Sequence, residues 1–182
     1  DDIPVFNNPA VTVAALSLTV DETNLAINAG PTSFAGLFSA NHGADGAAVT
    51  NALTYALGVD TAIASGLVDT ATNGAVVLSV NGAGTVITGT AGGQTVLVIT
   101  LDSATGAITL DQQRAVRHAS GGTAHDDETG IAVGAISITA TATDGDNDAV
   151  TSSINIGNRF IFKDDGPGIT VNAASLGSIQ LD

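Results

Sequence analysis

"AISITATATDGDNDAVTSSINI" occupies residues 135–156. Its first part, "AISITATAT" (135–143), alternates apolar residues with Ser or Thr, and its last part, "AVTSSINI" (149–156), alternates again. Period two over windows of this length puts every second side chain on one face, which reads as two strands with one buried side each. The interruption "DGDND" (144–148) reads as the turn between them. The same alternation recurs in "LSLTV" (16–20), "VTNALTYALGV" (49–59), "AVVLSV" (75–80), "GTVITGT" (84–90), "QTVLVITL" (94–101) and "AITLDQQRAVRH" (107–118). Turn signals separate these windows at "NGAG" (81–84), "DSATG" (102–106) and "ASGGTAHDDETG" (119–130). Seven or more short strands spaced in this way predict an all-β chain built as a β-sandwich of the immunoglobulin or cadherin kind.

Composition points the same way. A chain of 182 residues that is 44% hydrophobic buries one sizeable core, and its length predicts one domain. With five Phe, one Tyr and no Trp, that core is built from Val, Ile, Leu and Ala, and the abundance of Thr and Val favours strands. Segment 31–74 is less regular, and its Ala-rich stretches are read as room for a short helix.

The charges are unusual. Four basic residues face eighteen acidic ones, of which only Glu22 and Glu128 are Glu. Nucleic acid and anionic membrane surfaces are poor partners for such a chain. The preference for Asp over Glu belongs to turns and chelating loops rather than to solvated helix surfaces. No cysteine is present, so neither a disulfide framework nor a thiolate metal site can hold the fold. No apolar run reaches the length of a membrane span, no methionine starts the chain and no signal segment opens it, which is expected of a piece of a longer polypeptide.

Within "DGDND", Asp144, Asp146 and Asp148 recur at every second position with no Lys or Arg nearby. Two carboxylates ~5 Å apart repel by roughly 1 kcal/mol in bulk water and by about 3 kcal/mol at an effective dielectric near 20. A cation in the loop removes that cost, and alternate carboxylates around a Gly-containing turn suit Ca2+. The pattern begins like a helix–loop–helix calcium loop, but Ala149 stands where that loop needs Gly and Asn155 where it needs Glu. Any calcium here must therefore draw further ligands from another loop or from the chain start. The alternative is a solvated acidic turn.

A second acidic signal is an echo. "DDIPVF" opens the chain and "KDDGPGI" appears late, sharing Asp-Asp-x-Pro at Asp1, Asp2 and Pro4 and at Asp164, Asp165 and Pro167. "LSLTVDE", containing Asp21, is echoed by "GSIQLD", ending at Asp182. The implied period of about 160 residues makes 1–163 one complete module and 164–182 the start of the next repeat, or else a C-terminal strand or linker. Asp1, Asp2, Asp164 and Asp165 would then hold an ion at the seam between modules, or else mark a proline-stiffened linker with surface charge. Asp21 with Glu22, and Asp126 with Asp127 and Glu128, are further candidate ligands should their loops converge. Asp45 is a ligand or a turn residue, and Asp60, Asp69, Asp102 and Asp111 read as turn or surface residues.

Catalytic patterns are missing. His42, His118 and His125 lack metal-ligand spacing and read as solvated loop residues. "GGTAHDD" is similar to a calcium-binding nonapeptide, yet Ala124 replaces its third Gly and nothing repeats it. There is no G-x-S-x-G elbow, no P-loop and no glycosidase-like pair of Glu with aromatic platforms. An enzyme is not expected.

A set of segments nonetheless carries a resemblance. "VDET" (20–23), "GADG" (43–46), "LTYAL" (53–57), "SGLVDTATNGAVVLSVNGAGTVITGT" (65–90), "ITLDQQRAVRH" (108–118), "ISITATATDGDNDAVTSSINIG" (136–157) and "FKDDGPGI" (162–169) resemble, in this order, one unit of the tandem repeats in giant type I-secreted RTX adhesins of Gram-negative bacteria. The resemblance implies a β-sandwich strung in long arrays and rigidified by Ca2+ outside the cell. It also implies that neighbouring repeats of the same polypeptide are partners, that the module does not insert into membrane, and that it serves adhesion and biofilm formation at the bacterial surface. At about 160 residues the unit is longer than the ~100-residue sandwich extenders, so 31–74 is expected to be an insertion. The alternative function is a module that itself binds a glycan, a peptide or ice.

Overall fold

In the computed structural model, residues 2–7, 16–119 and 127–165 are described. Thirteen strands follow one another through them: β1 (Val5–Phe6), β2 (Leu18–Asp21), β3 (Ala29–Ser33), β4 (Ala40–Asn41), β5 (Leu53–Val59), β6 (Val77–Val80), β7 (Val86–Ala91), β8 (Gln94–Asp102), β9 (Ala107–Gln112), β10 (Glu128–Gly130), β11 (Ile136–Thr143), β12 (Ala149–Asn155) and β13 (Phe160–Lys163). Among the described residues there is no α-helix, and none is long and apolar enough to cross a membrane. The all-β, sandwich-like fold expected from the alternation is the fold observed.

A five-stranded sheet in the order β3-β9-β8-β7-β6 forms the larger layer, with antiparallel neighbours throughout. Against it pack β5, from the sheet β12-β11-β5, and β2, from the sheet β10-β13-β2. The free edge of β5 is bonded to two hairpin turns of the larger sheet, Leu57 N donating to Gly84 O at 2.7 Å and Tyr55 N to Ser103 O at 2.9 Å. In the third sheet β13 lies parallel to β2 and antiparallel to β10.

Alternation becomes burial along β11: Ile136, Ile138, Ala140 and Ala142 are sealed from solvent while the intervening Ser and Thr are half-buried. Ile99, Ile108 and Leu110 from the larger sheet meet Leu18, Phe160 and Phe162 from the third in the same core. Each such side chain contributes about 1.5–3 kcal/mol through burial.

Two expectations are corrected. Segment 31–74 forms no helix beyond a 3-10 turn at Ala35–Leu37, and it is no separate insertion. It supplies most of β3 together with β4 and β5, and it buries Phe34, Leu37, Phe38, Tyr55, Leu57 and Leu67 in the common core. The reason is nucleation: short Ala-rich stretches interrupted by Gly36, Gly43, Gly46 and Asn51, the last at φ 55°, cannot recover the cost of a first helical turn. Seven residues of β5, by contrast, pair with β11. The window 107–118 is likewise not one strand, because Gln113 N and Arg114 N both turn to Val96 O and end β9 at Gln112.

Candidate metal centre

The acidic turn grows directly out of β11. Its buried positions fall at every second residue through Ala142, and Asp144 takes the next one, with 0% of its surface exposed. The turn closes on this residue: Asp144 N donates to Asp148 O at 3.0 Å, Asp148 N donates to Asp144 Oδ1 at 2.8 Å, and Asn147 adopts φ 77°. Asp144 Oδ2 is left buried with no hydrogen-bond partner. Such an atom costs on the order of 1–3 kcal/mol, and more when it is charged.

Two other segments close over the turn. Ala47 bridges to Asp144, and Gly145 N donates to Gly46 O at 3.0 Å. This approach requires glycine, since a Cβ on Gly145 would lie 2.5 Å from Asp45 O. The chain start arrives through the pairing of β1 with β4, Val5 opposite Asn41, which carried on by three residues sets Asp2 opposite Ala44. There Asp2 Oδ2 accepts from Ala44 N at 3.1 Å, and Asp2 N donates to Asp45 Oδ2 at 3.2 Å.

Asp45, Asp144 and Asp146 thus each offer a carboxylate oxygen, all within 4.8 Å of one another, with Asp144 at the buried base and the other two exposed. An ion with Ca–O distances near 2.4 Å touches oxygens up to about 4.8 Å apart, so the trio could be spanned by one Ca2+. The donor set is all oxygen, which fits a hard cation. No Lys or Arg forms an ion pair with these groups among the described residues. Burial, then the neighbouring Asp146 carboxylate, which favours a proton on Asp144, and the charges of Asp146 and Asp148 outweigh the Asp148 N–H donor and push the Asp144 carboxyl above the ordinary carboxylate range. A cation between them reverses that logic by favouring the ionised form. Asp148 acts through its backbone and its charge, its carboxylate lying outside the trio.

The other candidate ligands distribute as follows. Asp1 and Asp126 lie outside the described residues. Asp21, at the end of β2, spends its carboxylate on the Thr23 side chain and on Thr23 N at 2.9 Å, which together hold it below its ordinary range. Glu22, Asp127 and Asp164 do converge, because the ends of β2 and β13 and the start of β10 meet at one end of their sheet, where Asp164 N donates to Asp127 O at 2.9 Å. Glu22 and Asp164 gather there with His118, while Asp165 is exposed beside them.

Three readings of single residues change. Asp45, balanced between turn and ligand, belongs to the acidic trio. His118 is buried rather than solvated. Asp69 is no surface residue: it is 0% exposed and held by Arg114, with Nε–Oδ1 at 2.9 Å and Nη2–Oδ2 at 3.1 Å, and by Thr72 N and Oγ1 at 2.8 and 2.6 Å. The one legible clue to the buried Asp144 was phase, its position two residues beyond the last apolar member of the β11 alternation.

Comparison with curated proteins finds no match, and comparison with solved structures finds none. Residues 17–157, the greater part of the chain and all three strands around the acidic trio, match the family described as Domain of unknown function (DUF5801). The chain belongs to that family.

Proposed function

We propose that this protein is a calcium-stabilised structural extender, a repeat module of a large secreted bacterial adhesin that projects the adhesin from the cell surface for adhesion and biofilm formation. The observation that carries this reading is the buried, unpartnered Oδ2 of Asp144 at the base of an all-oxygen pocket. The pocket joins the chain start, the 43–46 loop and the β11–β12 turn, so one ion cross-links segments far apart in sequence, as a disulfide does in other extracellular proteins. With no cysteine in the chain, that role falls to metal.

The work is mechanical rather than chemical. If the site binds with a dissociation constant of ~10 μM and the surroundings supply ~1 mM calcium, the ion adds about 2.7 kcal/mol of stability by mass action. Low calcium inside the cell then leaves the chain easier to unfold for export. By the Asp-Asp-x-Pro echo, Asp165 corresponds to Asp2 and would bond to the loop beside the acidic trio of a following module, while its neighbour Asp164 stays bonded to Asp127 of this one. Adjacent residues on either side of the joint would restrict bending between the module and its neighbouring repeats. The glycan alternative is disfavoured because five of the six aromatic rings are buried, and the sixth, Phe6, packs edge-on to Phe38 at 6.1 Å. Thermal melts in 1 mM Ca2+ and in EDTA test the proposal: the midpoint rises by about 5–10 °C per bound ion if it is correct, and equal midpoints refute it.

A further inference from the structure

We infer that the Glu22–His118–Asp164 cluster is a second metal site, selective for a divalent cation of the zinc class rather than for calcium. This inference goes beyond the calcium reading and stands independently of it. Glu22, His118 and Asp164 each offer one ligand atom, and these atoms lie within 4.8 Å of one another. Acidic groups alone would not make a site, but His118 supplies an independent observation. Its side chain is 3% exposed, and neither Nδ1 nor Nε2 has a hydrogen-bond partner among the described residues. Nε2 faces Glu22 Oε1 at 3.5 Å, within ion-pair range but without hydrogen-bond geometry.

A buried imidazole almost always engages at least one ring nitrogen, so one with neither engaged is missing a partner. A cation bound to Nε2 and a Glu22 carboxylate oxygen supplies it. Tetrahedral zinc, with ligand distances of about 2.0–2.1 Å, sets neighbouring donor atoms roughly 3.3–3.4 Å apart, close to the 3.5 Å separation present. The nitrogen decides the class of metal: calcium takes oxygen donors, whereas imidazole with carboxylate suits zinc and its transition-metal neighbours.

The carboxylate is also pre-set. Gln112 Nε2 and Val116 N each donate to Glu22 Oε1 at 2.7 Å, and Gln112 Nε2 also reaches Arg114 O at 3.1 Å. These bonds hold Glu22 in place as the outer partners of a metal ligand do. Occupancy would tie the end of β2 to the segment after β9 and to the end of β13. That is the opposite role for His118 to the solvated loop residue expected from spacing alone, because the three donors come from segments that meet only in the folded sheet.

The test uses the untagged protein saturated with Ca2+, titrated with Zn2+ by calorimetry and with Co2+ by visible absorption. One saturable equivalent of Zn2+ and a Co2+ spectrum of low coordination number are expected. His118→Ala should weaken Zn2+ binding by roughly 100-fold or more, while His42→Ala leaves it unchanged. Asp164→Asn, at a half-exposed position, should weaken it as well, which keeps the test decisive should His118→Ala fail to fold. Absence of saturable Zn2+ binding by the native chain overturns the inference, as does full affinity in His118→Ala or in Asp164→Asn. Calcium binding by His118→Ala stays intact in either case, so failure here is distinct from failure of the calcium proposal.

Discussion

Asp69 and Asp144 are both fully buried aspartates, each beside a β-bridge, yet they sit in opposite electrostatic surroundings. Around Asp69 the chain supplies its own cation: the Arg114 guanidinium, ahead of the Thr72 donors, holds the carboxyl down to about 2. Around Asp144 the chain supplies one backbone donor, Asp148 N, and otherwise more carboxylate, and burial pushes the group up. A buried charge needs a partner in both places. The first site is closed within the protein, while the second is left open, which is where the proposed calcium ion would sit.

The contrast can be broken most sharply at Asp69. Replacing it with Ala leaves Arg114 unpaired and should cost on the order of 3 kcal/mol, equally in Ca2+ and in EDTA, read from urea unfolding. A calcium-dependent loss would show that the two sites are coupled.

Asp144→Asn should behave in the reverse manner. In EDTA the variant unfolds no more easily than the native chain, since a buried, repelled charge has been removed. In 1 mM Ca2+ it loses the metal-dependent part, about 2.7 kcal/mol for a ~10 μM site. Equal losses in both buffers would mean that Asp144 is merely structural.

The smallest and most diagnostic effect is in pH. Asp69 has a folded value near 2 against an ordinary 3.8, so its contribution is complete above the ordinary value and is lost as pH falls toward 2. Asp144 has a raised folded value, so the metal-free protein loses its contribution as pH climbs from below 3.8 through that value. In EDTA, urea midpoints between pH 2 and 7 should therefore lose their acid-side fall in Asp69→Ala and their rise-side fall in Asp144→Asn. Saturating Ca2+ should abolish only the second, and a profile unaffected by calcium would contradict the assignment.

How much of this was legible depends on the distance over which each signal acts. Seven of the eight alternating windows became strands nearly as read, because a half-buried strand writes its period into consecutive residues. The short β1, β4 and β10 and the Gly-Pro-containing β3 carry too few alternating positions to show a period. The turn carboxylates Asp144 and Asp146 were visible for the same local reason, while Asp45 joins them, with Asp2 beside it, only through the pairings of β1 with β4 and of Ala47 with Asp144. Asp69 was misread because its partner Arg114 lies 45 residues away.

What the sequence by itself determined is the class of fold, the hairpin carrying the acidic turn, and the shortage of positive charge that makes a cation the natural complement. These follow from period, turn chemistry and composition, all properties of neighbouring residues. Only the tertiary structure decided which carboxylates share a site, that Asp69 is satisfied while Asp144 is not, and that His118 meets Glu22 and Asp164. Those outcomes depend on burial and on long-range strand register, which bring together groups far apart along the chain and set whether water or another side chain stands beside them.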